Sequence, residues 1–323
     1  MVEELNIALI GCGNWGKNIA RNLYEMGYLA CVYDTNTKLS EKLSYEYSLP
    51  TFGLHKIFKD QNINAIVIAS PAVTHKAIAI EALNNDKDVF IEKPFCLSLP
   101  DAQKLSELAT NKNRILMVGH LLNYHNAFIK MKDLVKNGKI GALQNIRANR
   151  LALGAIRSEE SVIYDLSAHD ISMILSIVNE LPIDINVQSI HHNNNIGPDA
   201  VSVKLSFENG VTAFINSDWM CPYKEHKFSI IGTKGSLIFD DTKTWSEKLL
   251  YNPSIVTTKN SIINAPIEKI EIQENEPLKT ELKEFIDCVC SRKRPLTDHK
   301  EALKVQTVLD IIDKKILENK IDL

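Results

Sequence analysis

The chain has 323 residues, which at a typical size of ~150 residues per domain is enough for two domains. Its hydrophobic fraction of 45% and charged fraction of 24% match ordinary globular proteins and argue against a mainly disordered, collagen-like or coiled-coil chain. The 37 basic and 40 acidic side chains nearly balance, so we expect neither nucleic acid nor a membrane surface as a partner. No apolar run approaches the ~20 residues that span a bilayer, and the acidic N-terminus does not resemble a signal peptide. A cytoplasmic location is therefore expected.

The six cysteines form no Cys-x-x-Cys pair, and the simplest interpretation is a set of free thiols in a cytosolic enzyme. His191 and His192 could suggest a metal site, but neighbouring residues on a strand point to opposite faces. The sequence therefore predicts no metal site.

The first ~120 residues alternate between strand and helix patterns. The helical segments place apolar residues three or four positions apart, as in Ile19, Leu23 and Met26. Short apolar runs between them predict strands at 7–10, 29–33, 65–69, 88–91 and 115–118. This alternation predicts an α/β fold with a doubly wound parallel sheet.

Beyond residue 120 the pattern changes to longer, alternating strands. Val201–Phe207 and Val211–Ile215 flank Asn209-Gly210, which predicts a β-hairpin, and a second hairpin is predicted over 228–239. Helical patterns close the chain at 278–290 and 301–317. We therefore predict a second, α+β domain with an antiparallel sheet, and assign residues 1–120 and 121–323 to the two domains.

A glycine-rich segment joins the first strand to the first helix. Gly11, Gly13 and Gly16 have the Gly-x-Gly-x-x-Gly spacing, in which glycine permits a tight turn, close approach to a pyrophosphate and helix–strand packing. Asp34 ends the second strand, 23 residues beyond Gly11, where a carboxylate accepts hydrogen bonds from ribose hydroxyls and repels a 2′-phosphate. The segment predicts a dinucleotide site that prefers NAD to NADP.

Two further segments carry groups suited to proton transfer. Lys93, in Glu92-Lys93-Pro94, follows a predicted strand at the sheet edge where ligands bind, and a cis bond before Pro94 would aim it. Asp165 and His169 are four apart on a predicted helix and share one face, so the carboxylate can orient the imidazole as a general base. In isolation, each segment is also compatible with surface charges or an ion pair.

Together these segments resemble the Gfo/Idh/MocA oxidoreductases over essentially the whole chain. The motifs that carry the resemblance are Ala69-Ser70-Pro71-x-x-x-His75, Glu92-Lys93-Pro94, Val118-Gly119-His120, Asp165-x-x-x-His169-Asp170, Glu276-Pro277-Leu278 and Arg294-Pro295. The resemblance implies an N-terminal Rossmann domain and a C-terminal domain with a large, mostly antiparallel sheet. It also implies a homodimer, often within a homotetramer, formed by the open face of that sheet.

The resemblance and the residue patterns together select the candidate site residues. Lys93, Asp165 and His169 are the catalytic candidates, with the choice of base between Lys93 and His169 left open. The cofactor-binding candidates are Gly11, Gly13, Asn14, Trp15, Gly16, Asp34, Ser70, Pro71, His75, Glu92, Lys93 and His120. The substrate-binding candidates are Lys93, Tyr124, Asn149, Arg150, Arg157, Asp165 and His169.

Within the family, Val118–His125, Asn149–Leu151 and Tyr164–Ser172 look like the nucleotide-sugar 3-dehydrogenases, although Asn126 and Tyr164 depart from that branch. This likeness implies NAD-dependent oxidation of the 3-hydroxyl of a nucleotide sugar such as UDP-N-acetylglucosamine, with an aminotransferase converting the keto product to a 2,3-diamino sugar. Three alternatives stay open. They are a dehydrogenase or keto-reductase of a free polyol such as inositol or of another nucleotide sugar, a glycosidase that uses NAD transiently, and a catalytically silent ligand sensor.

Overall fold

A computed structural model describes residues 5–154, 160–191, 197–256 and 261–321, with side chains described up to residue 318. The chain forms two compact units. The first unit comprises residues up to 121 together with 278–306, and the second comprises 122–277 together with the residues from 307 onward.

The first unit is built on a five-stranded parallel sheet in the order β2-β1-β3-β4-β5. Its strands are β1 (Ile7–Ile10), β2 (Leu29–Tyr33), β3 (Ala65–Ile68), β4 (Asp88–Glu92) and β5 (Leu116–Gly119). All residues of β1 and β3 are buried, which explains why these strands read as continuous apolar runs rather than alternating ones. The prediction of a doubly wound parallel sheet is confirmed.

Helices connect these strands. They are α1 (Gly16–Glu25), α2 (Thr37–Tyr47), α3 (Leu54–Lys59), α4 (Ala72–Asn84) and α5 (Leu99–Asn111). The start of α5 shows how local sequence sets a helix end, because the Ser98 hydroxyl accepts a hydrogen bond from the Asp101 N–H at 3.3 Å. The short helix α3 carries no clear periodic signal and is not predicted from the sequence.

Helix α8 (Pro277–Ser291) and the start of α9 (His299–Ile321) pack within the first unit. The ring of Phe285 meets Phe90 of β4 edge-on at 5.7 Å, and the Thr297 hydroxyl donates to the Val118 carbonyl of β5 at 2.8 Å. The region that we assigned from the sequence to one domain, 121–323, is therefore divided between the two units. These contacts join residues almost 200 positions apart, and periodicity along the chain contains no information about them.

The second unit contains α6 (Asn126–Lys136), α7 (Ala168–Val178) and an eight-stranded sheet. The sheet strands are β6 (Leu143–Leu151), β7 (Asp184–Ile190), β8 (Ala200–Ser206), β9 (Thr212–Asp218), β10 (Glu225–Gly232), β11 (Gly235–Asp240), β12 (Leu249–Asn252) and β15 (Glu268–Lys269). Their order in the sheet is β15-β12-β11-β10-β6-β9-β8-β7. A separate ribbon consists of β13 (Ile255–Val256) and β14 (Ile262–Ile263). Among the described strands of this sheet, only β6 and β9 pair in parallel, so the prediction of a large, mostly antiparallel sheet is confirmed.

Both predicted hairpins form. The β8–β9 register pairs Val203 with Ile215, and Gly210 in the turn has a φ of +82°, a conformation that favours glycine. The β10–β11 hairpin pairs Phe228 with Phe239. In both hairpins these apolar pairs are buried, as the two-residue alternation predicts.

All six cysteines are free thiols, and only Cys290 is exposed. Within the described ranges, no helix has the length and apolar character needed to cross a membrane.

Candidate active site

The glycine-rich loop is held tightly at two of its three glycines. Gly11 has a φ of +103°, and a Cβ atom there would lie 2.5 Å from the backbone of Ala69 and Ser70. A Cβ atom on Gly16 would overlap the Gly11 carbonyl. Around Gly13, in contrast, no described residue other than its two chain neighbours comes within 4 Å of the position of a Cβ atom. The loop is therefore packed at both ends and open in the middle, as an approaching pyrophosphate requires.

Asp34 lies directly beside this loop. Its two carboxylate oxygens accept hydrogen bonds from the Cys12 N–H at 2.7 Å and the Asn36 N–H at 2.8 Å. Each oxygen keeps a further lone pair for a ribose hydroxyl. Among the described residues, no side chain caps the N-terminus of α1, whose N–H groups suit a phosphate. These residues fit NAD, which when bound supplies a hydride acceptor.

Glu92 connects the loop to the end of β4. Its carboxylate accepts a hydrogen bond from the Trp15 indole N–H at 2.5 Å and another from the Lys93 backbone N–H at 3.3 Å. Burial raises the pKa of Glu92 to about 7, against the opposing effect of the Trp15 hydrogen bond and the Lys93 charge. Lys93 itself is half-buried, and the Lys93–Pro94 bond is cis.

His75 positions the loops that follow β3 and β4. Its ring is buried, with Nδ1 2.9 Å from the Pro94 carbonyl oxygen and Nε2 2.8 Å from the Ser70 carbonyl oxygen. Burial lowers the pKa of His75. Pro71 precedes α4 at its N-cap. His75 therefore contacts two other predicted cofactor-binding segments.

His120 follows β5 and is also buried. Its Nδ1 lies 2.6 Å from a carboxylate oxygen of Glu301 on α9. Since Gly119 pairs with Glu92 across the two strands, His120 and Glu92 belong to the same edge of the sheet.

In the second unit, Asp165 lies in a π-helical turn, Ile163–Ser167, that leads into α7. The sequence predicts a helix here but not this wider turn. Asp165 is buried and accepts a hydrogen bond from the Trp219 indole N–H at 3.1 Å, while His169 is half-buried in the first turn of α7. Single π-helical turns occur often at functional sites, because they reposition side chains within a helix.

Arg150 and Asp170 form a buried ion pair next to this turn. Arg150 donates two hydrogen bonds to the carboxylate, from Nε at 3.2 Å and from one terminal nitrogen at 2.9 Å. This arrangement uses two of the five guanidinium N–H groups.

The remaining substrate-binding candidates are dispersed. Asn149 precedes Arg150 on β6 and so points to the opposite sheet face, where it hydrogen-bonds to Glu225 and Asn216. Tyr124 is buried, and its carbonyl accepts a hydrogen bond from the Asn275 side chain at 2.9 Å. Arg157, like His192, lies outside the described residues.

Two residues that the sequence analysis did not select lie beside predicted site residues. They are His226, beside Arg150, and Trp219, beside Asp165. His226 of β10 pairs directly with Arg150 of β6 and therefore shares its face. Burial, followed by the Arg150 charge, lowers the pKa of His226 to about 4, so the ring is neutral near pH 7. The alternation through Phe228 and Ile230 could have indicated this inward face, whereas nothing in the sequence indicates that Trp219 contacts Asp165.

Comparison with known proteins decides the family. Residues 5–120 match the oxidoreductase family GFO_IDH_MocA, described as having an NAD-binding Rossmann fold, and residues 128–238 match the C-terminal domain of the same family. The chain belongs to the Gfo/Idh/MocA family. It is an NAD-binding oxidoreductase, as its motifs predict.

Several known proteins are similar to this chain. The 2,7-anhydro-N-acetylneuraminate hydratase of Escherichia coli is 24% identical over 74% of this chain and 68% of its own length. The scyllo-inositol 2-dehydrogenase of Bacillus subtilis is 23% identical over 92% and 89%. The UDP-N-acetylglucosamine 3-dehydrogenase of Acidithiobacillus ferrooxidans is 26% identical over 65% and 66%. Its solved structure superposes with a TM-score of 0.84, covering 96% of this chain and 97% of that one at 21% identity.

In the parts of the chain that the structure describes, no group of three or more histidine, cysteine or acidic side chains is arranged to hold a metal ion.

Proposed function

We propose that this protein oxidises the 3-hydroxyl of a nucleotide sugar, with UDP-N-acetylglucosamine as the substrate and NAD as the hydride acceptor. The observation that carries the proposal is the likeness to UDP-N-acetylglucosamine 3-dehydrogenase, which is 26% identical over 65% of this chain and has a similar fold over 96% of it. The keto product then suits an aminotransferase that forms a 2,3-diamino sugar.

We assign the proton transfer to Lys93 and His169. Oxidation of a secondary alcohol removes a hydride from carbon and a proton from oxygen, so the reaction needs a base and a group that stabilises the developing alkoxide. The Lys93 ammonium suits the alkoxide, and either His169 or a neutral Lys93 accepts the proton. Asp165, with one carboxylate oxygen held by Trp219, is assigned to orient the His169 ring.

Arg150 has guanidinium N–H groups that its ion pair does not use and that suit a substrate oxygen. Its pairing with Asp170 fixes the plane of the guanidinium and leaves three N–H groups outside the ion pair. A guanidinium held in this way loses little further entropy when it binds, which favours recognition of a sugar or diphosphate oxygen. Tyr124, Asn149 and Arg157 remain candidate substrate contacts.

We retain the functions proposed for the two domains and assign them to the two observed units. The first unit, which contains residues 1–120, binds NAD. The second unit, residues 122–277 together with those from 307 onward, binds the substrate and forms a homodimer or homotetramer. The half-exposed face of the eight-stranded sheet, which carries Asn149 and Asn216, is the proposed interface between copies.

A free polyol is the second candidate substrate. The scyllo-inositol 2-dehydrogenase relative covers 92% of this chain, a larger share than the nucleotide-sugar relative covers. The hydratase relative, whose name describes addition of water rather than oxidation, adds a third reaction class.

A coupled reaction tests the proposal. The purified protein is mixed with NAD, UDP-N-acetylglucosamine, glutamate and a 3-keto-sugar aminotransferase, which draws the unfavourable oxidation forward. Mass spectrometry should then show a nucleotide sugar in which one hydroxyl is replaced by an amine. Matched reactions contain scyllo-inositol or myo-inositol with NAD alone.

The outcomes separate the candidates. An amino sugar formed only when the protein is present supports the 3-dehydrogenase. NADH formed with an inositol, and no amino sugar, would overturn the nucleotide-sugar assignment in favour of a polyol dehydrogenase. Lys93→Ala serves as the matched control, because it should abolish product while NAD still binds.

A further inference from the structure

Glu92 joins the cofactor loop to a buried group of charges. Its carboxylate holds the Trp15 indole at 2.5 Å, and its oxygens lie so close to β5 that a Cβ atom on Gly119 would meet one at 3.0 Å. The carboxyl therefore lies between the β5 backbone and the nucleotide loop, in a partly exposed residue. It is the acidic group that connects Trp15 with Lys93.

Beneath Glu92 lies a second acid that the proposed mechanism does not use. Glu281 of α8 has no solvent exposure, and neither of its carboxyl oxygens has a hydrogen-bond partner among the described residues. Helix α8 packs on β4 through Phe285 and Phe90, and Arg292, just beyond α8, donates a hydrogen bond to Asp88 at the start of β4. The helix and the strand therefore run in opposite directions, so Glu281, one turn before Phe285, lies toward the Glu92 end of the strand. A buried carboxylate without a partner is strongly disfavoured, and the group is therefore a neutral acid.

Charged side chains from several elements surround Glu92 and Glu281. Burial, then the charges of Glu92, Glu284 and Glu301, raises the pKa of Glu281 well above its usual range. Glu92 is faced by Lys93 and by His120, both of which oppose the effect of burial. Glu281 thus keeps its proton near neutral pH, while Glu92 is the member that changes charge there.

We propose that Glu92 couples NAD binding to release of a proton, so that the oxidised cofactor binds to its ionised form. The step is a proton transfer from the Glu92 carboxyl to solvent, and Glu281 stays neutral throughout. The inference rests on NAD binding alone and is independent of which sugar or polyol is oxidised.

The physical reason is the charge difference between the two redox forms of the cofactor. NAD+ and NADH share their phosphates and riboses and differ by one positive charge on the nicotinamide ring. Asp34 follows β2 and is assigned to bind a ribose of the cofactor. From there the rest of the dinucleotide, including the nicotinamide, extends toward the half of the sheet that contains β4. An added positive charge near a carboxyl lowers its pKa by about 1 to 3 units. NADH lacks that charge and should leave Glu92 protonated.

Calorimetry of cofactor binding measures the coupling directly. Titrations in two buffers of different ionisation enthalpy give the number of protons released per cofactor bound, without substrate. With a starting pKa of about 7, NAD+ should release about half to three-quarters of a proton at pH 6.5. Its affinity should rise about tenfold between pH 5.5 and 7.5. For NADH, we expect little proton release on binding and little change of affinity with pH.

Two isosteric variants identify the group responsible. Glu92→Gln keeps an acceptor for the Trp15 indole but removes the charge, so the difference in proton release between NAD+ and NADH should vanish. Glu281→Gln replaces one neutral group by another and should behave like the native protein. The indole N–H resonance of Trp15 gives a second measurement in the cofactor-free protein, since it should titrate near pH 7 and become insensitive to pH in Glu92→Gln.

The proposal is overturned if native protein releases equal numbers of protons with NAD+ and NADH. It is also overturned if Glu92→Gln retains the difference, or if Glu281→Gln alone removes it, which would make Glu281 the titrating group. Failure of NAD to bind at all would instead contradict the cofactor assignment, so the two failures are distinguishable.

Discussion

Gly13 offers a test of the cofactor loop in which folding and binding respond differently. Its φ lies outside the positive range that favours glycine, and no described residue other than its two chain neighbours comes within 4 Å of the position of an added Cβ atom. Gly13→Ala should therefore change the free energy of unfolding by no more than about 0.5 kcal/mol. If a pyrophosphate approaches this backbone, however, the new methyl group occupies its place.

The effect on binding follows from the lost contact. One backbone hydrogen bond to a charged phosphate is worth about 1.5 to 3 kcal/mol, which corresponds to about 10- to 150-fold weaker NAD binding. Isothermal calorimetry gives the Kd, and urea unfolding gives the stability. Gly53→Ala is the matched control, because Gly53 is equally unobstructed and lies outside the loop.

Gly11→Ala provides the opposite contrast. Its φ of +103° and the backbone of Ala69 at 2.5 Å both oppose a side chain, so this variant should lose stability as well as NAD affinity. The reasoning is refuted if Gly13→Ala binds NAD as tightly as the native protein, or if it weakens binding only by unfolding the chain.

Three further predictions address cofactor choice, stability and catalysis. Asp34→Ala combined with Thr35→Arg should shift preference from NAD toward NADP, and an unchanged ratio of kcat/KM for the two cofactors would contradict the ribose assignment. Asp170→Asn leaves a buried guanidinium without its counter-charge and should cost about 3 to 5 kcal/mol in urea unfolding; a loss below 1 kcal/mol would mean that the ion pair is not buried as described. Lys93→Ala and His169→Ala should each abolish turnover while NAD still binds, and near-native turnover in either would remove that residue from the mechanism.

Much of the first unit can be predicted from local sequence. Ile7–Ile10 and Leu29–Tyr33 coincide with β1 and β2, because a short apolar run bounded by Gly or Asp is a strong signal for a buried parallel strand. The hairpin at Asn209-Gly210 is predictable for the same reason, since the turn residues and the alternation both act locally.

The candidate site is less accessible to sequence reasoning. The π-helical turn at Asp165 has no periodic signature of its own, so the sequence indicates only a helix. The contact between Trp15 and Glu92 joins residues 77 positions apart and depends on where two loops end on the sheet. Glu281 is a partial exception. It falls within the apolar stripe of α8, three positions after Leu278, and this placement indicates burial without showing that Glu92 lies beside it.

The central claim concerns which carbon of which substrate gives up its hydride. It can be tested with UDP-N-acetylglucosamine that carries deuterium at C3, incubated with NAD and stoichiometric protein, followed by mass spectrometry of the reduced cofactor. The account predicts deuterium in the NADH from this substrate and none from a sample labelled at C4. NADH without deuterium from the C3-labelled substrate would contradict the position of oxidation, and an absence of reduced cofactor, with NAD bound, would contradict the substrate.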